Sequence, residues 1–220
     1  MSISAKSILA DLKHRADPAK APFFKQYHKV DRVYLGAATP QMDAVAKNMV
    51  RAAGPERALE LAGELWASDI FEARITAGKV MWQAQVKLYD RMWALIGHWK
   101  EDFDSWAIAD CVAKGAARCL KHDPARLDEV EGWTCHKNMW VRRAALVFTL
   151  DWAKKGRDPD RMLAWAATYV DDKDWFIQKA IAWWLRELSK HNPARVRAFL
   201  SAHGNDMAAF ARREAGKYLG

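Results

Sequence analysis

Apolar residues recur along the chain at steps of three and four, as in Ala144, Val147, Phe148 and Leu150. That spacing gathers them on one face of a helix. Strict alternation of apolar and polar residues, the mark of a half-buried strand, is missing. An all-α chain without a sheet is therefore predicted. Helices are expected near 5–15, 18–30, 40–52, 55–67, 70–87, 91–99, 103–121, 124–131, 138–156, 159–170, 174–191, 193–203 and 206–219.

Prolines punctuate this pattern. Gly54-Pro55, Asp123-Pro124, Asp158-Pro159 and Asn192-Pro193 stand about 35 residues apart, or twice that. A cap-type residue before proline marks a helix start, because the first turn does not need the missing N–H. About 16 residues beyond each comes an aromatic with a basic residue three places on: Phe71/Arg74, Trp140/Arg143, Phe176/Lys179 and Phe210/Arg213. In the one skipped beat, Asp90-Arg91 stands where the cap belongs and Trp106 where the aromatic belongs. The basic residue is absent there, and Asp110 lies one place further along.

A helix pair of this length cannot bury its own apolar face, so neighbouring pairs must stack. The prediction is an α-α superhelix of HEAT-like two-helix repeats. It spans 1–220 as one domain, with atypical capping helices over 1–52 and about five repeats over 53–220. Twelve tryptophans suit such a core, since each supplies a large buried area. Trp183-Trp184 differs from the rest. Adjacent helical residues point about 100° apart, so one of the two is free to face a cleft.

Charge narrows the partners. There are 35 basic and 27 acidic residues, a formal charge of +8, which favours a polyanion. Cys111, Cys119 and Cys135 form neither a CxxC pair nor a disulfide framework, and the seven histidines lack metal-ligand spacing. No metal or cofactor is implied. Neither a signal peptide nor a membrane-length apolar run is seen, which points to a cytoplasmic protein with no membrane partner.

Counting 100° per residue from each aromatic mark puts Arg143 near −60°, Asp110 near +40° and Trp183 near −20°, with Trp106 at zero. Second helices of stacked repeats lie side by side, so this shared arc of about 100° predicts a shared surface. Arg74, Lys179 and Arg213 would extend it as a basic stripe that follows phosphates. The same residues admit a purely structural account, with Arg143 and Asp110 as an ion pair between repeats.

The strings Trp106-Ala-Ile-Ala-Asp110, Asn138-Met-Trp-Val-Arg-Arg-Ala-Ala145, Trp175-Phe-Ile-Gln-Lys-Ala-Ile-Ala-Trp183 and Leu185-Arg-Glu187 resemble the AlkD-like DNA alkylation-repair glycosylases. Arg213-Glu-Ala215 and Tyr34-Leu-Gly36 with Thr39-Pro40 also match, so the resemblance covers almost the whole chain. It implies a HEAT-like solenoid that excises N3- and N7-alkylated purines, such as 3-methyladenine and 7-methylguanine, from double-stranded DNA. It maps the catalytic site onto Asp110, Arg143, Trp106 and Trp183, and a DNA contact onto Tyr27. Trp175, Lys179, Arg74 and Arg213 are the further DNA contacts expected, and the protein is expected to act as a monomer. One departure stands out: Ala38 occupies the place of a family Gln before Thr39-Pro40, which bears on contact with the lesion rather than on bond breaking.

The chemistry fits. N3 or N7 alkylation makes the purine cationic, so it departs as a neutral base and needs little protonation. The paired carboxylates of ordinary glycoside hydrolysis are then unnecessary. Asp110 would stabilise the oxocarbenium and position water, the indoles would offer π faces, and Arg143 would clamp a phosphate. A non-catalytic module binding damaged or branched DNA, and a scaffold whose basic face meets an acidic protein, are the alternatives.

Overall fold

The structure, a computed structural model, describes residues 3–219. Its contacts gather into two compact units, 1–122 and 123–220. Among the described residues the secondary structure is helical apart from one isolated parallel bridge, Val33 to Ile70. The all-α class of paired helices holds.

The first unit contains α1 (Ala5–Arg15), α2 (Ala21–His28), α3 (Thr39–Ala67), α4 (Phe71–Val80), α5 (Tyr89–Trp99) and α6 (Trp106–His122). Gly54, at φ 76° and ψ 166°, breaks α3 into the two helices that Gly54-Pro55 predicts. Of the other pairs, Asp123-Pro124 and Asn192-Pro193 stand as cap and first residue, while at Asp158-Pro159 the proline itself is the N-cap of a helix that begins at Asp160. Asp17 accepts the N–H of Ala19 before Pro18, and Asp123 accepts that of Ala125 before Pro124. Asp90-Arg91 differs from expectation. Leu88 is the N-cap of α5, and Asp90 sits inside the first turn, where an acid suits the helix dipole.

α4 stops at Val80, well short of the predicted residue 87. The Arg118 guanidinium accounts for the stop. It donates to the carbonyls of Met81, Gln83 and Val86 at 2.5, 2.9 and 2.7 Å, satisfying the chain end that a longer helix would have used. α4 and α6 then pack at very close range. A Cβ on Gly78 would lie 2.6 Å from the backbone oxygen and the sulfur of Cys111, and one on Gly115 would lie 2.7 Å from Cβ of Met81. Gly78→Ala is therefore expected to push α6 off α4 and to destabilise the chain by about 1–3 kcal/mol. Urea unfolding measures this, and an unchanged midpoint would show that the contact yields freely.

The second unit contains α7 (Leu127–Trp133), α8 (Met139–Val147), α9 (Asp160–Ala167), α10 (Trp175–Ser189), α11 (Pro193–His203) and α12 (Ala209–Ala215). Asn138, Asp174 and Asn192 cap α8, α10 and α11 by accepting backbone N–H groups. α8 is shorter than predicted. Thr149 Oγ1 donates back to the carbonyls of Ala145 and Leu146, and the chain continues as a 3-10 turn over Leu150–Ala153. Trp184 is fully enclosed and its indole donates to the Thr149 carbonyl at 3.3 Å, whereas its neighbour Trp183 is half-buried. The two indoles of the pair thus do divide between core and a more open position.

Candidate active site

Each aromatic mark of the repeat is the first or second residue of its helix: Phe71 in α4, Trp106 in α6, Trp140 in α8, Phe176 in α10 and Phe210 in α12. The basic residues three places on do not share one environment. Arg74 and Arg143 are buried, 6% and 4% exposed, while Lys179 is half-buried and Arg213 exposed. Arg74 does not fit the surface stripe expected of it. Its Nε donates to the Trp66 carbonyl at 3.1 Å, its guanidinium lies 3.0 Å from Asp69, and its cation sits 5.0 Å over the Trp66 ring. Burial and the nearby Arg32 pull its pKa below the usual guanidinium value. Its work is to tie the end of α3 to the start of α4. Repeat spacing fixes a residue's angle about its helix axis, but not how much chain lies over it.

α6 carries the first two site residues. Ala107, Ile108, Ala109, Cys111 and Val112 are buried, which leaves Trp106 and Asp110 half-exposed one turn apart. Residues four apart stand above each other on one helix face. Both open onto a cavity of about 240 Å³, walled also by His28, Phe71, Lys79 and Trp82. A second cavity of about 300 Å³, floored by Ala38, Pro40 and Glu72, shares His28, Thr39, Met42 and Phe71 with the first. Tyr27, 59% exposed, meets Trp106 edge-on at 6.0 Å and stacks on Phe23 at 6.2 Å. An exposed aromatic strip thus leads to the carboxylate.

Several residues of this cleft escaped sequence reasoning. Phe71, Ile75 and Lys79 recur at four-residue steps along α4 and all line the Asp110 cavity. The lysine is held there by Asp43 at 2.6 Å and by the Trp82 ring at 4.4 Å. A lysine on an otherwise apolar helical face was the available signal. Glu72 gave no such signal. Its buried carboxylate accepts the N–H groups of Leu35, Gly36 and Ala37, at 2.8 Å for Gly36. Those bonds fold the segment that delivers Ala38 and Thr39 to the cavity wall. Gly36 has φ 91°, and a Cβ there would meet the Asp17 carbonyl at 2.0 Å. Ala38, at the departure from the family pattern, is the N-cap of α3; its N–H donates to Gln41 Oε1. Cys111 also lines the cavity, but burial and the Asp110 charge push its thiol far up, so it remains protonated.

The second unit holds the other expected residues. Trp175 is 52% exposed, stacks on Phe210 at 5.8 Å, and has the Lys179 ammonium 5.5 Å from its ring centre. This is a cation–aromatic platform with a solvent face. Arg213 lies on the next helix, α12.

The architecture is thus that of a helical-repeat protein bearing an acidic, aromatic-walled recess. The chain belongs to the family described as DNA alkylation repair enzyme, whose profile matches residues 8–219. None of the curated proteins compared with it matches. Among solved structures it is similar to a predicted DNA alkylation repair enzyme from Enterococcus faecalis, at 22% identity and a TM-score of 0.76, over 94% of this chain and 97% of that one. It is also similar to AlkD2 from Streptococcus mutans, at 19% identity and a TM-score of 0.65, over 98% and 97% of the two chains. The smu.31 protein of Streptococcus mutans UA159 aligns at 17% identity and a TM-score of 0.61, over 82% and 92%. At these identities the likeness is one of fold. Among the described residues no helix is long and apolar enough to cross a membrane.

Proposed function

We propose that the chain is a monofunctional DNA glycosylase, acting as a monomer on cationic N3- and N7-alkylated purines in double-stranded DNA. The observation that carries the reading is the pairing of Asp110 with Trp106, one turn apart, at the edge of an aromatic-walled cavity. A half-exposed carboxylate in that setting faces a nascent cation, and a duplex laid over the cavity would displace screening water and strengthen the attraction. The lesion brings its own positive charge, so bond breaking returns electrons to the purine and shifts the cation onto the deoxyribose. Asp110 stabilises that charge and orients the attacking water. Trp106 offers it a π face. Membership of the repair family and the formal charge of +8 agree with a DNA substrate.

Tyr27 and the Trp175–Lys179 platform are the exposed groups best suited to contact the duplex, with Arg213 adding charge. Arg143 and Trp183 take the roles that the resemblance implies, a guanidinium toward a phosphate and an indole toward the sugar. Arg143 is buried in the free chain, so that contact requires its side chain to be uncovered when the duplex docks. Incubation with methylated DNA and chromatography of the free bases tests the reading; released 7-methylguanine or 3-methyladenine supports it. A non-catalytic binding module would hold the duplex and release nothing. Affinity for duplex should fall by orders of magnitude as salt rises from low to moderately high, and a flat salt response would exclude phosphate binding altogether.

A further inference from the structure

Trp82 has two ammonium groups against it. The Lys79 nitrogen lies 4.4 Å from its ring centre and that of Lys114 lies 5.5 Å away. The ring is fixed from the α6 side, because its Nε1–H donates to the Cys111 carbonyl at 2.8 Å. Lys79 has a counter-charge: its side chain is 5% exposed, and Asp43 holds it at 2.6 Å. Lys114 has none. It is exposed on α6, four residues beyond Asp110, a spacing at which an acid and a lysine readily pair. It nonetheless makes no ion pair with any described residue and rests beside Trp82 instead. Around this indole, Asp43 balances Lys79, and one positive charge stays uncompensated beside the cavity that Asp110 and Trp82 line.

An ammonium is a compact point charge with three donors, which suits a phosphodiester. It does not suit an alkylated purine, which is itself cationic. Contact with an aromatic face restricts the flexible lysine stem before any ligand arrives, so less ordering remains to oppose binding. Four residues of helix advance about 6 Å along the axis. That is the scale on which a deoxyribose carbon is separated from the phosphates of its own nucleotide.

We propose that Lys114 is a strand-anchoring residue of this cleft, taking a backbone phosphate next to the alkylated nucleotide while Asp110 faces its sugar. The place of that phosphate along the strand rests on the glycosylase reading. Trp82 is the positioning residue that holds the ammonium, and Lys79 with Asp43 holds the wall on which Trp82 lies. The assignment also accounts for the broken beat in the sequence. Where the other repeats carry a base three places after the aromatic, this one has Ala109. Lys114, eight places after Trp106, returns positive charge to the same helix without crowding the carboxylate.

Lys114 is exposed, so Lys114→Met should leave the packing of α6 intact, with an unchanged far-UV spectrum and melting point. Affinity is read across a series of salt concentrations for a duplex carrying a tetrahydrofuran abasic analogue, which binds without being hydrolysed. Loss of one phosphate contact should weaken binding about tenfold at low salt and lower the slope of log affinity against log salt by about 1. Lys114→Arg keeps the charge and should keep the slope. Replacing single phosphates by neutral methylphosphonates locates the contact. At one of the phosphates flanking the analogue, the replacement should weaken binding by wild type and have no further effect on Lys114→Met. In single-turnover release of 7-methylguanine the loss should fall on half-saturation rather than on the maximal rate. A residue of purely structural role would move neither the salt slope nor the response to one phosphate. An unchanged slope in Lys114→Met, or coupling only to phosphates remote from the analogue, would overturn the role of Lys114 while base release by wild type still stood. A wild-type chain that shows the coupling yet releases no base would overturn the glycosylase reading and uphold the phosphate contact. A wild-type chain without affinity for duplex would overturn both.

Discussion

Asp110→Asn should release alkylpurine about 10²–10³-fold more slowly than the wild-type chain, the loss seen when one preorganised charge-stabilising contact is removed. Affinity for the alkylated duplex should barely change, because binding draws on phosphate contacts elsewhere. The substitution is nearly isosteric and keeps hydrogen-bonding capacity, so packing between Trp106 and Cys111 is undisturbed. What disappears is the negative charge opposite the developing oxocarbenium. Single-turnover kinetics with protein in excess separates this from weaker binding: the maximal rate falls and half-saturation stays put. Base release at the normal rate would remove Asp110 from the mechanism.

The largest structural effect is expected from Glu72→Ala. One carboxylate gathers three backbone N–H groups of the segment before α3, and two of those residues, Gly36 and Ala37, are buried. Truncation leaves those donors without an acceptor in a dry setting, at a cost of about 1–3 kcal/mol each. With partial access to water, a net loss of about 3–5 kcal/mol follows from the three donors together. For a chain of this size that lowers Tm by roughly 10 °C. The segment carries Ala38 and Thr39 to the cavity wall, so base release should decline with it. Glu72→Gln should fall between the two, since a neutral amide still accepts. A melting point for Glu72→Ala within a degree or two of wild type would mean that other contacts hold the segment.

Much of the fold was legible because helix starts carry local chemistry. Asp and Asn caps before proline, and aromatics at the first turn of the second helices, mark α4, α6, α8, α10, α11 and α12 without any tertiary information. Helix ends were less legible. α4 stops because Arg118, 38 residues beyond Val80 in the chain, takes the carbonyls that follow it, and α8 stops because Thr149 bonds back on its own turn. The site divides in the same way. Trp106 and Asp110 announce themselves by breaking a repeat. His28, Lys79 and Glu72 belong to no motif themselves and take on meaning only once α2, α4 and α6 enclose a cavity. Arg74 shows the opposite error, because a regular position in a repeat guarantees a direction from the helix axis but not contact with solvent.

One measurement bears on the central claim most directly. A synthetic duplex carrying a single 7-methylguanine is incubated with excess wild-type protein, and the free base and the strand are both followed. Hydrolysis by a monofunctional glycosylase predicts free 7-methylguanine well above spontaneous depurination, together with an abasic strand that remains uncut until alkali is added. Tight duplex binding with base loss no faster than the uncatalysed background would contradict the account.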